Sequence, residues 1–408
     1  MPESRPRPRN AADLPDGCLG GATVAVRADF NVPLTAAGEV ADPARVARAA
    51  PTIGDLVEAN AKVVILSHLG RPGGREDPAF TLEPVSRLLD DLLPAPVRFV
   101  PRAAGREVAA TVDAAAPGSV LLLENTRFLP GETANSPELA ADWAAWADHF
   151  VMDAFGTAHR AHASTDGLPR AVRAKGGAAV AGRLLEHELA VFRDTLRNPR
   201  RPFVAVLGGA KISGKIGVIE ALLPRVDALL AGGAMANTFF RAMGMETGTS
   251  LVETGKTGVA ARLLRAAGAG LVLPVDCVTA PGIAPGARTR VVDRSGIAPD
   301  EAAGDVGPVT VRLFGEYLAE AATVVWNGPM GVFETEEFAR GTVGIARVAA
   351  DAADAGAAVI VGGGDSAAAV RSAGVAARIT HVSTGGGAAL DLLAGRELPG
   401  VAALSDRR

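Results

Sequence analysis

Four short segments put polar and cationic side chains where apolar runs give way to loops. They are Asp29-Phe30-Asn31, His68-Leu69-Gly70-Arg71, Glu124-Asn125-Thr126-Arg127-Phe128 and Gly156-Thr157-Ala158-His159-Arg160. Arg and His gathered at strand ends ask for an anion, because a guanidinium matches phosphate and carboxylate oxygens bidentately. The second half of the chain repeats the device with other chemistry. Its apolar runs end in Gly208-Gly209, Gly232-Gly233, Asn327-Gly328-Pro329, Gly362-Gly363-Gly364-Asp365-Ser366 and Ser383-Thr384-Gly385-Gly386-Gly387. Glycines at such turns let backbone N–H groups and helix N-termini reach phosphates. All but the third of these turns are expected to lead directly into a helix. The halves therefore ask for different ligands, one Arg-lined and one Gly-lined and nucleotide-like.

Single motifs are weaker than this pattern. Gly209 to Lys215 satisfies G-x-x-x-x-G-K, but Ile216 stands where a P-loop needs a Ser or Thr for Mg²⁺. The better reading is a lysine pair, Lys211 and Lys215, at a helix start, where cations gather when a phosphate offsets the helix dipole. Only five of the 41 basic residues are Lys, so the pair stands out. Asp365 is either an ordinary N-cap or a ligand for Mg²⁺, which favours oxygen donors shared with phosphates. Glu334 reads equally as a surface carboxylate or a ribose ligand. His159 and His162 lack a third partner and do not make a metal site. His149 and His187 read as ordinary residues, and Trp143 and Trp146 as core.

The elements that must position these groups alternate in type. Thr23–Asp29, Lys62–Ser67, Val97–Val100, Ser119–Leu123 and His149–Ala154 read as strands. Pro43–Ala59, Leu82–Leu93, Ala103–Ala115 and Pro137–Ala147 read as helices. Short apolar strands between helices imply a parallel sheet buried on both faces. Further strands are expected at Phe203–Leu207, Asp227–Ala231, Thr323–Trp326, Ala358–Val361 and Arg378–Val382. An amphipathic helix over Arg183–Arg197, stopped by Asn198-Pro199, separates the halves. The fold class is α/β: two doubly wound parallel-sheet (Rossmann-like) domains joined by a helix and hinge. The expected organisation is a flexible tail over 1–12, an N-terminal domain over 13–182, a linker helix over 183–198 and a C-terminal domain over 199–395. A final segment, 396–408, is expected to pack back on the N-terminal domain.

The 408 residues suit two or three domains. A net charge of −4 gives no global basic field for nucleic acid. Cys18 and Cys277, far apart, fit a reducing cytosol rather than a disulfide framework. No apolar run is long enough for a membrane span, and the first residues carry no signal-peptide pattern.

In order and at matching intervals, the motifs resemble one family, phosphoglycerate kinase. They are Arg27-Ala28-Asp29-Phe30-Asn31-Val32-Pro33, Ser67-His68-Leu69-Gly70-Arg71-Pro72, Leu123-Glu124-Asn125-Thr126-Arg127-Phe128 and Phe155 to His162, followed by Leu207-Gly208-Gly209-Ala210-Lys211, Trp326-Asn327-Gly328-Pro329, Gly362-Gly363-Gly364-Asp365 and Val382 to Gly387. The resemblance runs from about Thr23 to Leu398. It implies reversible phosphoryl transfer between 1,3-bisphosphoglycerate with ADP and 3-phosphoglycerate with ATP, by charge stabilisation in a cleft that closes between domains. It also implies Mg²⁺, a cytoplasmic monomer and hinge-bending. The competing reading is a non-catalytic nucleotide-binding relative with a regulatory role.

By the same resemblance, Asp29, Phe30, Asn31, Arg45, His68, Leu69, Gly70, Arg71, Arg127 and Arg160 hold the glycerate ligand. Lys211, Lys215, Asn327, Glu334, Gly363, Gly364, Asp365 and Ser366 serve the nucleotide, with Asp365 at the metal. Arg45, Lys215 and Gly386 are the expected catalytic groups. The chain departs from the family pattern in Ala28, in Gly214 before the second lysine, in Leu185-Glu186-His187 of the linker and in a longer N-terminal segment.

Overall fold

The computed structural model describes residues 7–15 and 17–406. They divide into two compact units. The first runs to Ala190 and takes in the chain again from Glu397, and the second is Val191–Arg396.

The first unit is a six-stranded parallel sheet of β1 (Thr23–Ala28), β2 (Lys62–Leu66), β3 (Val97–Val100), β4 (Val120–Leu123), β5 (His149–Asp153) and β6 (Ala179–Ala181). The strand order is β3-β4-β2-β1-β5-β6. β1, in mid-sheet, is buried along its whole length, as its apolar run requires. The helix Ala44–Glu58 covers the sheet with Val46, Ala49, Ile53 and Leu56, which recur at helical spacing and are all buried. Each such Ile or Leu contributes about 1.5–3 kcal/mol through burial. β1 and β2 pair in register from Thr23 opposite Lys62 to Arg27 opposite Leu66. That register brings Asp29 and His68 out at one edge.

The second unit repeats the architecture. Its parallel sheet contains β7 (Phe203–Leu207), β8 (Ala228–Ala231), β9 (Leu271–Val272), β13 (Thr323–Asn327), β14 (Ala358–Gly362) and β15 (His381–Val382), in the order β15-β14-β13-β7-β8-β9. Between β9 and β13, the strands β10 (Asp276–Ala280), β11 (Arg290–Asp293) and β12 (Ala302–Val306) form a small antiparallel sheet. That small sheet, β6 and β9 are absent from the sequence reading. The expected strand Arg378–Val382 shortens to two residues, because Ala376–Arg378 turns as a 3-10 helix. The helix expected over Ala103–Ala115 begins only at Arg106, after Gly105 at φ +95°.

The helix Arg183–Arg197 forms as its periodicity predicts, and the boundary between the units falls within it. Its start is held by side-chain acceptors: Arg183 N donates to Thr52 Oγ1 at 3.0 Å and Leu185 N to Asp153 Oδ1 at 3.1 Å. Burial pushes the Asp153 carboxyl up to about 6. Of the tail expected over 1–12, residues 1–6 lie outside the described residues. In residues 7–12, Arg9 N donates to Ser405 O at 2.8 Å and Arg9 O accepts from Ala181 N at 2.7 Å. Asn10 caps a 3-10 turn over Ala11–Asp13 and donates to Glu186 Oε2 at 2.7 Å.

Candidate active site

In the first unit, β1, β2, β4 and β5 all end at one edge and deliver their polar groups there, as is usual where open parallel sheets bind ligands. Asp29, buried, follows β1. Its Oδ2 accepts from Arg45 Nη1 at 2.5 Å, and its Oδ1 accepts from Asn31 N at 3.3 Å. Arg45 lies in the first turn of the helix Ala44–Glu58 and is partly exposed. Asn31 is exposed and accepts from Gly70 N at 2.9 Å through Oδ1, which ties the β1 and β2 loops together. Gly70, at φ +62°, leaves its carbonyl for Arg127 Nη1 at 2.7 Å. Asn125 sets Arg127 in place by accepting its N–H at 3.0 Å and starting the turn Thr126–Phe128. Arg71 and Arg160 are exposed.

The cations of this edge oppose one another. Burial, then Arg27 and Arg160, lower the Arg127 guanidinium to about 10, and its Nε is buried without a hydrogen-bond partner. Burial, followed by Arg27, Arg127, Arg45 and His162, holds the His68 imidazole well below its usual pKa, so the ring is neutral. A cluster of cations that depress one another is relieved by an incoming anion.

Two of the expected ligand residues are turned inward. Phe30 is fully buried and Leu69 nearly so, and both belong to the apolar core. They can serve a ligand only through their backbone. The sequence reading also missed a buried polar layer beneath the edge: Arg27, Glu132, His162 and Ser164. The available signal was an Arg between Val26 and Ala28, near the end of the buried strand β1.

In the second unit the glycine turns converge through their backbones. Gly208 N donates to Asn327 O, Gly209 N to Pro329 O and Gly233 N to Met330 O, at 2.9, 2.9 and 3.1 Å. A Cβ on Gly233 would lie 2.6 Å from Gly209 N, and one on Gly386 would lie 2.6 Å from Gly363 Cα. The turns after β7, β8, β13, β14 and β15 thus meet as one platform built largely from glycine backbone. Gly363, at φ +110°, caps the helix Gly364–Ser372, whose first turn carries Asp365. Gly364 and Asp365 are exposed, as are Lys211 and Glu334.

Lys215 is the cation of this platform that burial affects most among the described residues. Its Nζ donates to Asn327 O at 3.0 Å and also, over a short contact, to Asn327 Oδ1. Burial lowers its pKa to about 8, and Asp365 opposes that shift. Asn327 is positioned in turn by Nδ2 donating to Gly362 O at 2.8 Å. The expected lysine pair at one helix start is corrected by the structure. The turn after β7 does not lead directly into a helix: residues 208–215 form a loop and the helix is Ile216–Leu222, so Lys215 caps it while Lys211 sits in the loop. Glu253 pins that loop, accepting from Ser213 N at 2.9 Å and Ser213 Oγ at 2.7 Å. Ser366 also differs from expectation. It is fully buried, and its Oγ accepts from Gly328 N at 2.6 Å, so the hydroxyl shapes the platform rather than facing a ligand.

Chemically, the first unit offers a dense cationic edge with one buried carboxylate. The second offers backbone amides, a partly desolvated lysine and an exposed carboxylate, a set that suits a polyphosphate with a hard cation. The sequence profile described as phosphoglycerate kinase matches residues 14–396. A phosphoglycerate kinase of Rubrobacter xylanophilus is 51% identical over 389 residues, covering 95% of this chain and 97% of that protein. One of Chlorobaculum tepidum is 48% identical, covering 96% and 99%. Among solved structures, phosphoglycerate kinase from Coxiella burnetii superposes with a TM-score of 0.79 at 39% identity, covering 97% of this chain and 98% of that one. Phosphoglycerate kinase from Pyrococcus horikoshii superposes with a TM-score of 0.84 at 32% identity, with the same coverage.

Proposed function

The chain belongs to the phosphoglycerate kinase family, and we propose that it transfers a phosphoryl group reversibly between 1,3-bisphosphoglycerate with ADP and 3-phosphoglycerate with ATP. The observation that carries the substrate assignment is the self-repelling cationic edge, where the buried Arg127 Nε has no partner. Asp29, Asn31, Arg45, His68, Arg71, Arg127 and Arg160, with the backbone of Phe30, Leu69 and Gly70, hold the glycerate ligand. Lys211, Lys215, Asn327, Glu334, Gly363, Gly364 and Asp365, with the backbone of Ser366, serve the nucleotide. The first unit is thus the glycerate domain and the second the nucleotide domain.

The attacking carboxylate of 3-phosphoglycerate is ionised already, so no general base is needed. The difficulty is repulsion: two unit charges 4 Å apart at an effective dielectric of 20 cost roughly 4 kcal/mol. Phosphoryl transfer of this type depends on positioning and charge stabilisation. Arg45, Lys215 and the amide of Gly386 provide both at the transferring oxygens. Because the two ligands belong to different units, turnover requires hinge motion that brings them together and excludes water.

Asp365 fits Mg²⁺. It is an exposed hard-oxygen donor at the platform, and among the described residues no group of three His, Cys, Asp or Glu side chains could hold a metal unaided. That suits a cation that takes its remaining ligands from phosphates and water. When bound, Mg²⁺ would supply neutralising charge on the phosphate oxygens.

We further infer a cytoplasmic monomer acting on small molecules, not on nucleic acid or membranes. The net charge of −4 gives no basic field for nucleic acid, and the two free cysteines suit a reducing compartment. Sedimentation at twice 41.4 kDa would overturn the monomer.

The direct test couples the purified protein, ATP, Mg²⁺ and 3-phosphoglycerate to NADH consumption through glyceraldehyde-3-phosphate dehydrogenase. Consumption that needs all three reactants is expected. A folded protein that binds nucleotide but gives none would instead support the regulatory relative, a reading not favoured by a site that keeps Arg45, Lys215 and Asp365. Arg127→Ala is expected mainly to raise KM for 3-phosphoglycerate, by about 10- to 100-fold for a lost charged hydrogen bond. An unchanged KM would remove Arg127 from the glycerate site.

A further inference from the structure

Arg27 is a cation of the glycerate edge with no surface of its own. It lies in β1 and is fully buried. Its Nε donates to Ser164 Oγ at 2.7 Å, its Nη1 donates to the Ala28 carbonyl, and its Nη2 lies 3.1 Å from His68 Nδ1. Ser164 is anchored in turn on Glu132, also fully buried. Ser164 Oγ donates to Glu132 Oε1 at 2.6 Å and Ser164 N donates to Oε2 at 3.0 Å. Glu132 Oε1 is 4.0 Å from Arg27 Nη2, which gives the buried guanidinium the compensating charge it needs. With these bonds made, Arg27 does not reach a ligand directly.

A guanidinium carries donors only. His68 Nδ1 must therefore be the acceptor in its contact with Arg27, and the proton of the neutral ring sits on Nε2. We propose that Arg27, held on Glu132 through Ser164, is a positioning residue that fixes His68 in the Nε2–H tautomer, so that the ring offers a donor to the anionic ligand. The opposite tautomer would set two donors against each other at Nδ1 and turn a lone pair toward the ligand. Asp29 does not compete for Nδ1. Its Oδ1 is 4.0 Å away, beyond hydrogen-bond range, and accepts from Asn31 N instead. Burial and the charges of Arg27, Arg45, Arg127 and His162 keep the ring from taking a second proton, so its tautomer rather than its charge decides what it offers.

The identity of the anion rests on the function proposed above; the tautomer does not. Nitrogen NMR of the histidine rings in the ligand-free full chain reads the tautomer directly, with the His68 signal identified by its loss in His68→Gln. The expected wild-type spectrum shows His68 protonated at Nε2 and unprotonated at Nδ1, and a ring protonated at Nδ1 would overturn the proposal without any further variant. Arg27→Met is expected to give mixed tautomers and to raise KM for 3-phosphoglycerate by about two- to fivefold, because only the Nε2–H fraction of the rings is competent to bind, with a smaller change in kcat. Ser164→Ala, which keeps Arg27 but loosens its anchor, is expected to shift the same signal part of the way, and it serves if Arg27→Met does not fold. Wild-type spectra retained in both variants would overturn the proposal, since a merely structural role leaves the ring unchanged. An Nε2–H ring in a protein that does not bind 3-phosphoglycerate would uphold the tautomer and overturn the functional reading.

Discussion

Lys215→Ala is expected to lower kcat by about 10²- to 10³-fold, the scale for removing one preorganised group at a developing charge, while KM for ATP changes much less. The Lys215 ammonium is partly desolvated and tied to the carbonyl and side-chain oxygens of Asn327. A cation taken partly out of water gains most from an anion, and here it gains most as charge gathers on the transferring oxygens. The variant leaves the platform standing, because Asn327 keeps its bond to Gly362 O and Gly208 N keeps its bond to Asn327 O. Lys215→Arg is expected to restore little, since a planar guanidinium cannot occupy the same point-charge position. Steady-state rates over both substrates decide the matter. A raised KM with kcat intact would reduce Lys215 to ground-state binding.

Gly208→Ala is expected to destabilise the second unit by about 3 kcal/mol, the upper range for overpacking. For a unit of this size that corresponds to a fall in Tm of roughly 6–12 °C. The cause is steric. A Cβ at Gly208 would lie 2.7 Å from Gly328 O and closer still to the Pro329 carbonyl and Met330 Cε. Neither carbonyl can retreat easily, because Gly209 N bonds to Pro329 O and Trp326 Nε1 to Gly328 O. KM for ATP should rise as Asn327 shifts. The same substitution at Gly214 has open space around it and no positive φ, so it should be neutral or stabilise by about 0.4–1 kcal/mol. Calorimetry and ATP kinetics on both variants check the contrast. An unchanged Tm for Gly208→Ala would show that the platform yields where the packing says it cannot.

The strands that carry the site were legible because each is a short apolar run ending in chemistry-bearing residues. β1, β2, β4, β5, β7, β8, β13 and β14 lie within a residue or so of expectation. The small antiparallel sheet was not legible. β11, Arg290–Asp293, is largely exposed, and β12 contains Gly304 and Asp305, so neither shows an apolar run or clean alternation. β6 has three residues and β9 two, below what periodicity can resolve.

Within the site, the outward residues could be read from type and position, and the inward ones could not. Phe30 and Leu69 stand between polar neighbours, yet they turn into the core. Ser366 resembles a phosphate ligand in sequence, yet it bonds Gly328 N. Arg27 and Glu132 were hidden for another reason. In a chain rich in Arg, one more arginine carries little information until the sheet shows it fully enclosed. Glu132, in the short helix Pro130–Thr133, is matched to Arg27 only through folding across more than a hundred residues.

The first unit is discontinuous in sequence, and this sets an order of events during synthesis. Residues from Glu397 return to it: Ser405 N bonds to Ala179 O, Arg9 N to Ser405 O, and Arg173 reaches the carbonyls of Ala403 and Leu404. The second unit is a single uninterrupted stretch, Val191–Arg396. On a ribosome adding about 5–20 residues per second, the domain begun first is therefore completed last. Ala179 O of β6 and Arg9 N lack their Ser405 partner while roughly two hundred further residues are made. A nascent chain that has passed Arg396 holds all of the second unit and an incomplete first one, and the segment from Glu397 completes it.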